Sequence, residues 1–283
     1  FHAEEKKNDA EFSKKLASLG DIYVNDAFGT AHRAHSSTSG VAAHFGRCLS
    51  GFLMEKEIEY LSRAVEEPER PYSLILGGAK ITDKIPVIEN LLNKVDTLLI
   101  GGGMMFTFLK ARGKEVGASL VDEEQLAFAK KVLSENEDKI VLPVDSFVAS
   151  SFDSGTMTMG RTDVVSVDAI PSTWYGLDIG PRTIERFKDV CSRSQTIVWN
   201  GPMGVFEIDK SARGTLELAR KLAELSDKGV ITVIGGGDSA AAVKKAGVEK
   251  RVTHVSTGGG ASLMFLQGKE LPGITILSER DEQ

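Results

Sequence analysis

The sequence predicts an α/β protein with a doubly wound parallel sheet in a three-layer α/β/α arrangement. Five apolar runs each end in a glycine cluster or an Asn-Gly-Pro corner, and helical segments alternate with these runs from Tyr72 onward. Parallel strands are buried on both faces, so they form unbroken apolar runs, and ligands bind beyond their carboxyl ends. The runs span residues 73–78, 97–103, 196–202, 231–237 and 254–260.

The remaining elements follow from periodicity and breakers. A helix near 9–19 precedes a short strand at 21–26 and a polar loop at 27–38. Apolar residues at helical spacing predict a helix at 51–66, which a segment with two prolines terminates. Further helices are expected at 83–94, 104–111, 123–136, 182–191, 211–226 and 239–246. Residues 150–168 predict a β-hairpin or surface loop, and 263–283 fall outside the alternation.

Composition narrows the function classes. The 283 residues carry a net charge of −6 and have no run of Lys or Arg longer than two, which disfavours nucleic acid and anionic membranes as partners. Cys48 and Cys191 have neither a metal-binding nor a redox spacing, so we expect two free or buried thiols in a reducing compartment. The sequence shows no apolar stretch as long as a membrane span and no signal-peptide pattern, which favours a cytoplasmic location. Because the chain opens on Phe1 within a charged helical segment, it resembles the interior of a longer protein.

The glycine-rich strand ends predict a phosphate site. Glycine lets an anion approach backbone N–H groups beside a helix N-terminus, so a nucleotide is the first expectation. The Walker A pattern is absent. Gly235-Gly-Gly-Asp-Ser-Ala240 fits a loose dinucleotide fingerprint, but Ser256-Thr-Gly-Gly stands where an acidic residue is wanted, which leaves a dinucleotide-dependent oxidoreductase as a weaker alternative. Lys80 and Lys84 are four residues apart, which would place both ammonium groups on one face of a helix start, unless Lys84 is a solvated surface lysine.

Several ordered motifs carry a family resemblance. They are Val24-Asn-Asp-Ala-Phe-Gly-Thr-Ala-His-Arg-Ala-His-Ser-Ser37, Gly77-Gly-Ala-Lys80, Gly101-Gly-Gly-Met104, Leu177-Asp-Ile-Gly-Pro-Arg182, Val198-Trp-Asn-Gly-Pro-Met-Gly-Val-Phe-Glu207, Gly235-Gly-Gly-Asp-Ser239 and Ser256-Thr-Gly-Gly-Gly-Ala-Ser-Leu263. On these residues the sequence resembles the phosphoglycerate kinase family, from Phe1 to about Ser278.

The resemblance implies two α/β domains that close on a hinge. Residues 1–50 would be the remnant of an N-terminal 3-phosphoglycerate-binding domain, 51–71 an interdomain helix and hinge, 72–262 the nucleotide domain, and 263–283 a tail that returns to the first domain. The implied reaction is the glycolytic, reversible phosphoryl transfer between 1,3-bisphosphoglycerate and ADP that gives 3-phosphoglycerate and ATP. ADP or ATP, phosphoglycerate and Mg²⁺ would be the ligands of a monomer.

The resemblance also implies the site residues. Catalytic roles fall on Lys80, Lys84, Gly237 and Gly259. Nucleotide contacts fall on Gly78, Ala79, Lys84, Gly101, Gly102, Gly176, Asn200, Pro202, Val205, Glu207, Gly236, Gly237, Asp238 and Ser239. Arg33 would bind the substrate's phosphate and Asp238 would hold Mg²⁺. Asp238 is also a candidate N-cap of the helix that follows, and an N-cap aspartate can serve in both roles. His32 and His35 would orient neighbours rather than bind metal.

One implication concerns completeness. The family's early catalytic arginine and most of its 3-phosphoglycerate patch have no counterpart in these residues. The chain alone is therefore also considered as a non-catalytic module that binds ADP or ATP.

Overall fold

A computed structural model describes residues 2–278. Its helices are α1 (Ala3–Lys6), α2 (Ala10–Ala17), α3 (Phe52–Val65), α4 (Ile85–Leu91), α5 (Met104–Ala111), α6 (Leu126–Glu135), α7 (Pro181–Cys191), α8 (Arg213–Ser226), α9 (Gly237–Lys245), α10 (Gly259–Leu266) and α11 (Pro272–Thr275). Its strands are β1 (Tyr23–Asn25), β2 (Cys48–Ser50), β3 (Tyr72–Leu76), β4 (Thr97–Ile100), β5 (Ile140–Val141), β6 (Asp145–Ala149), β7 (Phe152–Asp153), β8 (Thr158–Met159), β9 (Thr162–Ser166), β10 (Tyr175–Ile179), β11 (Thr196–Asn200), β12 (Ile231–Gly235) and β13 (His254–Val255).

The main sheet has six parallel strands in the order β13-β12-β11-β3-β4-β5. All five apolar runs of the sequence contribute a strand, and every residue of β3, β11 and β12 is buried. Burial on both faces is the reason these strands lack polar alternation. The predicted parallel α/β sheet is confirmed.

Two groups of helices pack around this sheet. Helix α10 contacts α3 and α4, while α8 contacts α7 and α9. Trp199 on β11 and Phe187 on α7 are among the largest fully buried side chains of the core. The helices follow strands and so return the chain to the opposite end of the sheet, which brings the strands' carboxyl ends to one edge.

A smaller antiparallel sheet, β10-β6-β9, lies outside the parallel alternation. Residues of β9 are exposed or half-buried, so one side of this strand faces solvent. The predicted hairpin within 150–168 consists of β7 and β8, which pair through Phe152–Met159 and Asp153–Thr158, and β9 follows directly. Strand β10 then leads into α7.

The N-terminal residues form a short parallel pair, β1 and β2, that the C-terminal segment contacts. The Gly273 N–H donates to the carbonyl of Ala31, and the Asn25 Nδ2 group donates to the carbonyl of Gly273. The Ser278 N–H donates to the carbonyl of Cys48. The end of the described chain therefore returns to the N-terminal residues.

Some predicted elements differ from the structure. The helix expected at 83–94 is a 3₁₀ turn, Thr82–Lys84, followed by α4, and Pro86 near the start of α4 fits because its missing N–H would have no partner there. The segment after Leu263 is partly helical, since α10 extends to Leu266; predictions for Phe1 and 279–283 lie outside the described residues.

Both cysteines are buried and free, as expected. Among residues 2–278, no helix has the length and apolar character that crossing a membrane requires.

Candidate functional site

Three glycine turns interlock at the carboxyl edge of the main sheet. The N–H of Gly78 donates to the carbonyl of Pro202, and the N–H of Gly102 donates to the carbonyl of Met203. Gly102 has φ +64°, and a Cβ there would lie 2.5 Å from the nitrogen of Gly78. Glycine is required here because three backbones meet within hydrogen-bonding distance.

Lys84 extends from the 3₁₀ turn toward the same edge. Its Nζ donates a very short hydrogen bond to Oδ1 of Asn200, the last residue of β11. Burial lowers the pKa of Lys84, while the charges of Asp83 and Asp238 raise it in part. The Nδ2 group of Asn200 is buried without a partner, 3.1 Å from where a Cβ on Gly236 would lie. A cation and an unpaired donor thus lie side by side.

The N-terminus of α9 completes this polar end. Gly236 has φ +94° and precedes the helix, whose first turn contains Gly237, Asp238 and Ser239. The first N–H groups of a helix have no acceptor within the helix. The hydroxyl of Ser239 accepts from the N–H of Gly201, so that side chain is already occupied. Asp238 is exposed and lies in the first turn rather than at the N-cap, which is Gly236, so the N-cap interpretation of Asp238 is wrong.

A cavity of about 540 Å³ lies along the strand ends and reaches the first turn of α9 at Asp238. The other predicted residues of the polar end do not line it: Lys84, Asn200, Gly236, Gly237 and Ser239. The expected nucleotide-binding residues that line it are Gly78, Ala79, Gly102, Gly176, Pro202, Val205, Glu207 and Asp238. Gly101 is buried beneath it, where a Cβ would lie 2.5 Å from the sulfur of Met203. The volume falls within the range of small-molecule sites.

The other end of the cavity is apolar, and sequence reasoning did not find most of it. The missed residues are Phe106, Ala118, Leu120, Phe152, Ser154, Met157 and Tyr175. Gly176 forms part of this end because a Cβ there would lie 1.9 Å from the ring of Phe106. Phe152 and Met157 come from the β7–β8 hairpin, for which the sequence indicates a β-hairpin or surface loop and no binding role.

Lys80 occupies a different position from the one expected. It is exposed and precedes the 3₁₀ turn, so it does not share a helical face with Lys84. The prediction that both ammonium groups lie on one face of a helix start is therefore wrong. The 3₁₀ turn begins only after Ile81, so helical spacing does not relate Lys80 to Lys84.

The glycine loop that begins α10 contacts the N-terminal part of the chain. A Cβ on Gly258 would lie 2.7 Å from the ring of Phe28, and one on Gly260 would lie 2.8 Å from Nε2 of His32. Nε of Arg33 donates to Nε2 of His32 at 3.2 Å, which places the exposed arginine next to this loop. Gly259, the first residue of α10, lies near Gly237, since a Cβ on Gly259 would lie 3.3 Å from the backbone nitrogen of Gly237.

Burial lowers the pKa of His32, and the charge of Arg33 lowers it further. Across the described range, no cluster of three or more His, Cys, Asp or Glu side chains is placed to hold a metal by itself. His32 packs against the Gly258–Gly260 loop, since a Cβ on Gly260 would lie 2.8 Å from its Nε2.

A strand-end edge with glycine turns, a half-buried lysine and a helix N-terminus defines the class: this is an α/β phosphotransferase. A family model for phosphoglycerate kinase matches residues 1–269. The phosphoglycerate kinase of Thermosynechococcus vestitus is 55% identical over 282 residues, which cover 99% of this chain and 70% of the relative. Phosphoglycerate kinase 3, cytosolic, of Arabidopsis thaliana is 54% identical over 282 residues, covering 99% and 69%. The structure of phosphoglycerate kinase from Coxiella burnetii matches with a TM-score of 0.88 at 42% identity over 98% of this chain and 70% of that one. The chain belongs to the phosphoglycerate kinase family.

Proposed function

We propose that the cavity binds the adenosine part of ADP or ATP and that its polar end holds the phosphates. The base lies at the apolar end, against Gly176 and Val205, and the exposed carboxylate of Glu207 accepts from the ribose hydroxyls. The single observation that carries this proposal is the continuity of one cavity from an apolar slot to a helix N-terminus. Apolar walls with a few convergent polar groups are typical of nucleotide sites.

The phosphates lie at the start of α9 in this proposal. The N–H groups of Gly236, Gly237 and Ser239 and the unpaired Nδ2 of Asn200 donate to phosphate oxygens. Lys84 stabilises the negative charge on the transferring phosphoryl group, since in-line transfer depends on positioning and electrostatics. Lys80 and the N–H of Gly259 assist from the two sides, and Gly78, Ala79, Gly101, Gly102 and Pro202 shape the wall.

The residues present also fit Mg²⁺. Asp238 is an exposed carboxylate that lines the cavity beside the phosphate end, and Mg²⁺ is typically held by one or two carboxylates together with phosphate oxygens and water. Asp238 would be its protein ligand, and the ion would neutralise charge on the phosphate oxygens.

The phosphoglycerate side of the reaction is assigned to the N-terminal residues. Arg33 lies next to the Gly258–Gly260 loop through His32 and would bind the substrate's phosphate. We divide the chain into 1–50, 51–71, 72–262 and 263–283, with α3 as the interdomain helix. The hydrogen bonds of Gly273 and Ser278 to Ala31 and Cys48 support the return of the last segment. A monomer in the cytoplasm, with closure about α3, completes the proposal.

Calorimetric titration of ADP into the chain, with and without Mg²⁺, tests the nucleotide site. We expect saturable 1:1 binding that Mg²⁺ strengthens. Asp238→Asn should retain the metal-free affinity and lose the Mg²⁺-dependent gain. Titration with NADH should show no binding, in keeping with a phosphotransferase.

A coupled 3-phosphoglycerate kinase assay on the same sample separates the two forms of the proposal. Turnover shows that these residues suffice for the reaction, whereas binding without turnover identifies the chain as a nucleotide-binding module of the family. A cooperative thermal melt combined with no ADP binding would refute the site.

A further inference from the structure

Asp178 is a buried carboxyl group directly behind the proposed nucleotide wall. It lies on β10 with 2% of its surface exposed, and none of the roles assigned above uses it. Its Oδ1 accepts from the N–H of Ile179 at 2.9 Å, and its Oδ2 accepts from the N–H of Gly214 at 2.7 Å. Gly214 belongs to the first turn of α8, so the carboxyl joins a strand to a helix start.

The segment between β11 and α8 carries three of the proposed nucleotide contacts: Pro202, Val205 and Glu207. It is hydrogen-bonded to both neighbouring elements, because the N–H of Met203 donates to Oγ1 of Thr215 on α8 at 2.9 Å and the N–H of Val205 donates to the carbonyl of Leu177 on β10 at 2.8 Å. Leu177 directly precedes Asp178. The carboxyl group therefore sits where the segment meets both β10 and α8.

Two glycines, Gly204 in this segment and Gly214 in α8, lie in close contact with the carboxyl group of Asp178. A Cβ on Gly204 would lie 2.5 Å from Oδ1 of Asp178, and a Cβ on Gly214 would also lie 2.5 Å from it. Neither glycine has a positive φ. The carbonyl of Leu177 also crowds a Cβ on Gly204, and Ile179 also crowds one on Gly214. The carboxyl group is therefore one of the close neighbours at both glycines, and the backbone of each lies against Asp178.

We infer that Asp178 is a positioning residue for the nucleotide: its carboxyl group sets the distance between β10 and the 202–207 segment and thereby holds Val205 and Glu207 in the binding wall. This inference rests on the nucleotide site proposed above. Asparagine is a poor replacement, because each oxygen of Asp178 lies at a backbone N–H group. A carboxyl group, protonated or ionised, keeps an oxygen at both positions, whereas an amide offers an oxygen at only one. The substitution turns an NH₂ group against one of the two donors.

The protonation state of Asp178 supplies a signature. Burial raises its pKa to about 8, although the N–H groups of Gly214 and Ile179 and the charge of Arg213 lower it. Arg213, at the start of α8, is the charged side chain whose field lowers the pKa of Asp178. The carboxylate of Asp145, on the neighbouring strand β6, accepts from the N–H groups of Arg182 and Thr183 instead. Loss of the Asp178 proton places a buried negative charge behind the pocket of a polyanion, which weakens nucleotide binding.

The test is titration of ADP into the wild-type chain, Asp178→Asn and Asp145→Asn between pH 7 and 9.5. Asp145 is the matched control because it is equally buried and also binds a helix start, that of α7, away from the wall. At pH 7 we expect Asp178→Asn to weaken ADP binding about tenfold, and Asp145→Asn to leave it within about twofold. The wild-type affinity should fall as the pH passes about 8, and that step should be absent from Asp178→Asn.

Equal ADP affinity in the wild type and Asp178→Asn, or the same pH step in both, would overturn the inference. Equal weakening by Asp178→Asn and Asp145→Asn would also overturn it, because it would show general destabilisation. If Asp178→Asn does not fold, Gly204→Ala presses on the same contact from the segment, and wild-type ADP affinity in that variant would contradict the role. A folded wild-type chain that binds no ADP would instead refute the proposed nucleotide site.

Discussion

The carboxylate of Glu57 lies 2.8 Å from Nε2 of His254, and this pair joins the middle of α3 to β13. The exposed fractions of the two residues are 1% and 6%. Oε1 of Glu57 also accepts from the N–H and the hydroxyl of Thr257, at 2.6 Å and 2.7 Å. Helix α3 is thereby attached to the residues that precede the Gly258–Gly260 loop.

Replacing Glu57 with Gln should destabilise the fold by about 3 kcal/mol, since it breaks a buried, hydrogen-bonded pair. Burial alone would raise the pKa of Glu57, but the hydrogen bonds from His254 and Thr257 outweigh burial, so the net pKa lies below the usual glutamate range. The stabilisation is therefore present above the ordinary glutamate pKa and is lost as the pH falls through the lower folded pKa. Urea unfolding between pH 3 and 7 measures both effects. Glu59→Gln on the exposed face of α3 is the control; an equal loss in both variants would contradict the buried pair.

Gly102→Ala should lower the free energy of unfolding far more than Gly113→Ala does. Both glycines have positive φ, +64° and +79°, so both variants pay the left-handed backbone cost of about 1–2 kcal/mol. A Cβ on Gly102 meets Gly78 and Pro202 within 2.7 Å, whereas nothing lies within 4 Å of one on Gly113. We expect an additional loss of at least about 2 kcal/mol for Gly102→Ala, measured by chemical denaturation. Equal losses would show that the turns do not interlock.

Met157→Ala should weaken ADP binding about fivefold, because roughly 1 kcal/mol of apolar contact is removed from the base end of the cavity. Met159, on the same β7–β8 hairpin, does not line the cavity, so Met159→Ala should bind ADP as the wild type does. Calorimetry on the two variants gives the comparison. Equal ADP affinities in the two variants would show that Met157 does not contribute to the binding site.

Lys84→Met should lower turnover at least about a hundredfold in active enzyme while changing the ADP dissociation constant much less, because the charge acts mainly on the transferring group. Lys80→Met should have a smaller effect on turnover, since Lys80 is exposed and lies before the turn. Steady-state kinetics and equilibrium binding on the same samples separate the two quantities. A parallel loss of both in Lys84→Met would assign the lysine to nucleotide binding alone.

The main sheet could be predicted because its physics is local. Strands β3, β11 and β12 are each a run of five buried residues, and the turns that follow the predicted strands contain glycine in the sequence itself. The phosphate end of the site follows from the same pattern, since Asn200 and Gly236 directly end or follow strands.

The apolar end of the site could not be predicted. Phe106, Met157 and Tyr175 come from a helix, a hairpin and a strand that meet only in the folded chain, and each resembles an ordinary core or loop residue in sequence. Glu57 has the same property: it sits among exposed Glu and Lys residues of α3, and its partner His254 is 197 positions away. A single polar residue in the apolar run of β10 was the available signal for Asp178.

The return of the C-terminal segment affects the order in which the protein assembles. Asn25 obtains a hydrogen-bond partner from Gly273, which is 248 positions later in the chain. During synthesis, the β1–β2 pair therefore leaves the ribosome long before the residues that cover it. The main sheet lies between these two segments in sequence, so it can form first. We therefore expect the N-terminal residues to complete their native contacts late in folding, after the C-terminal segment has been synthesised.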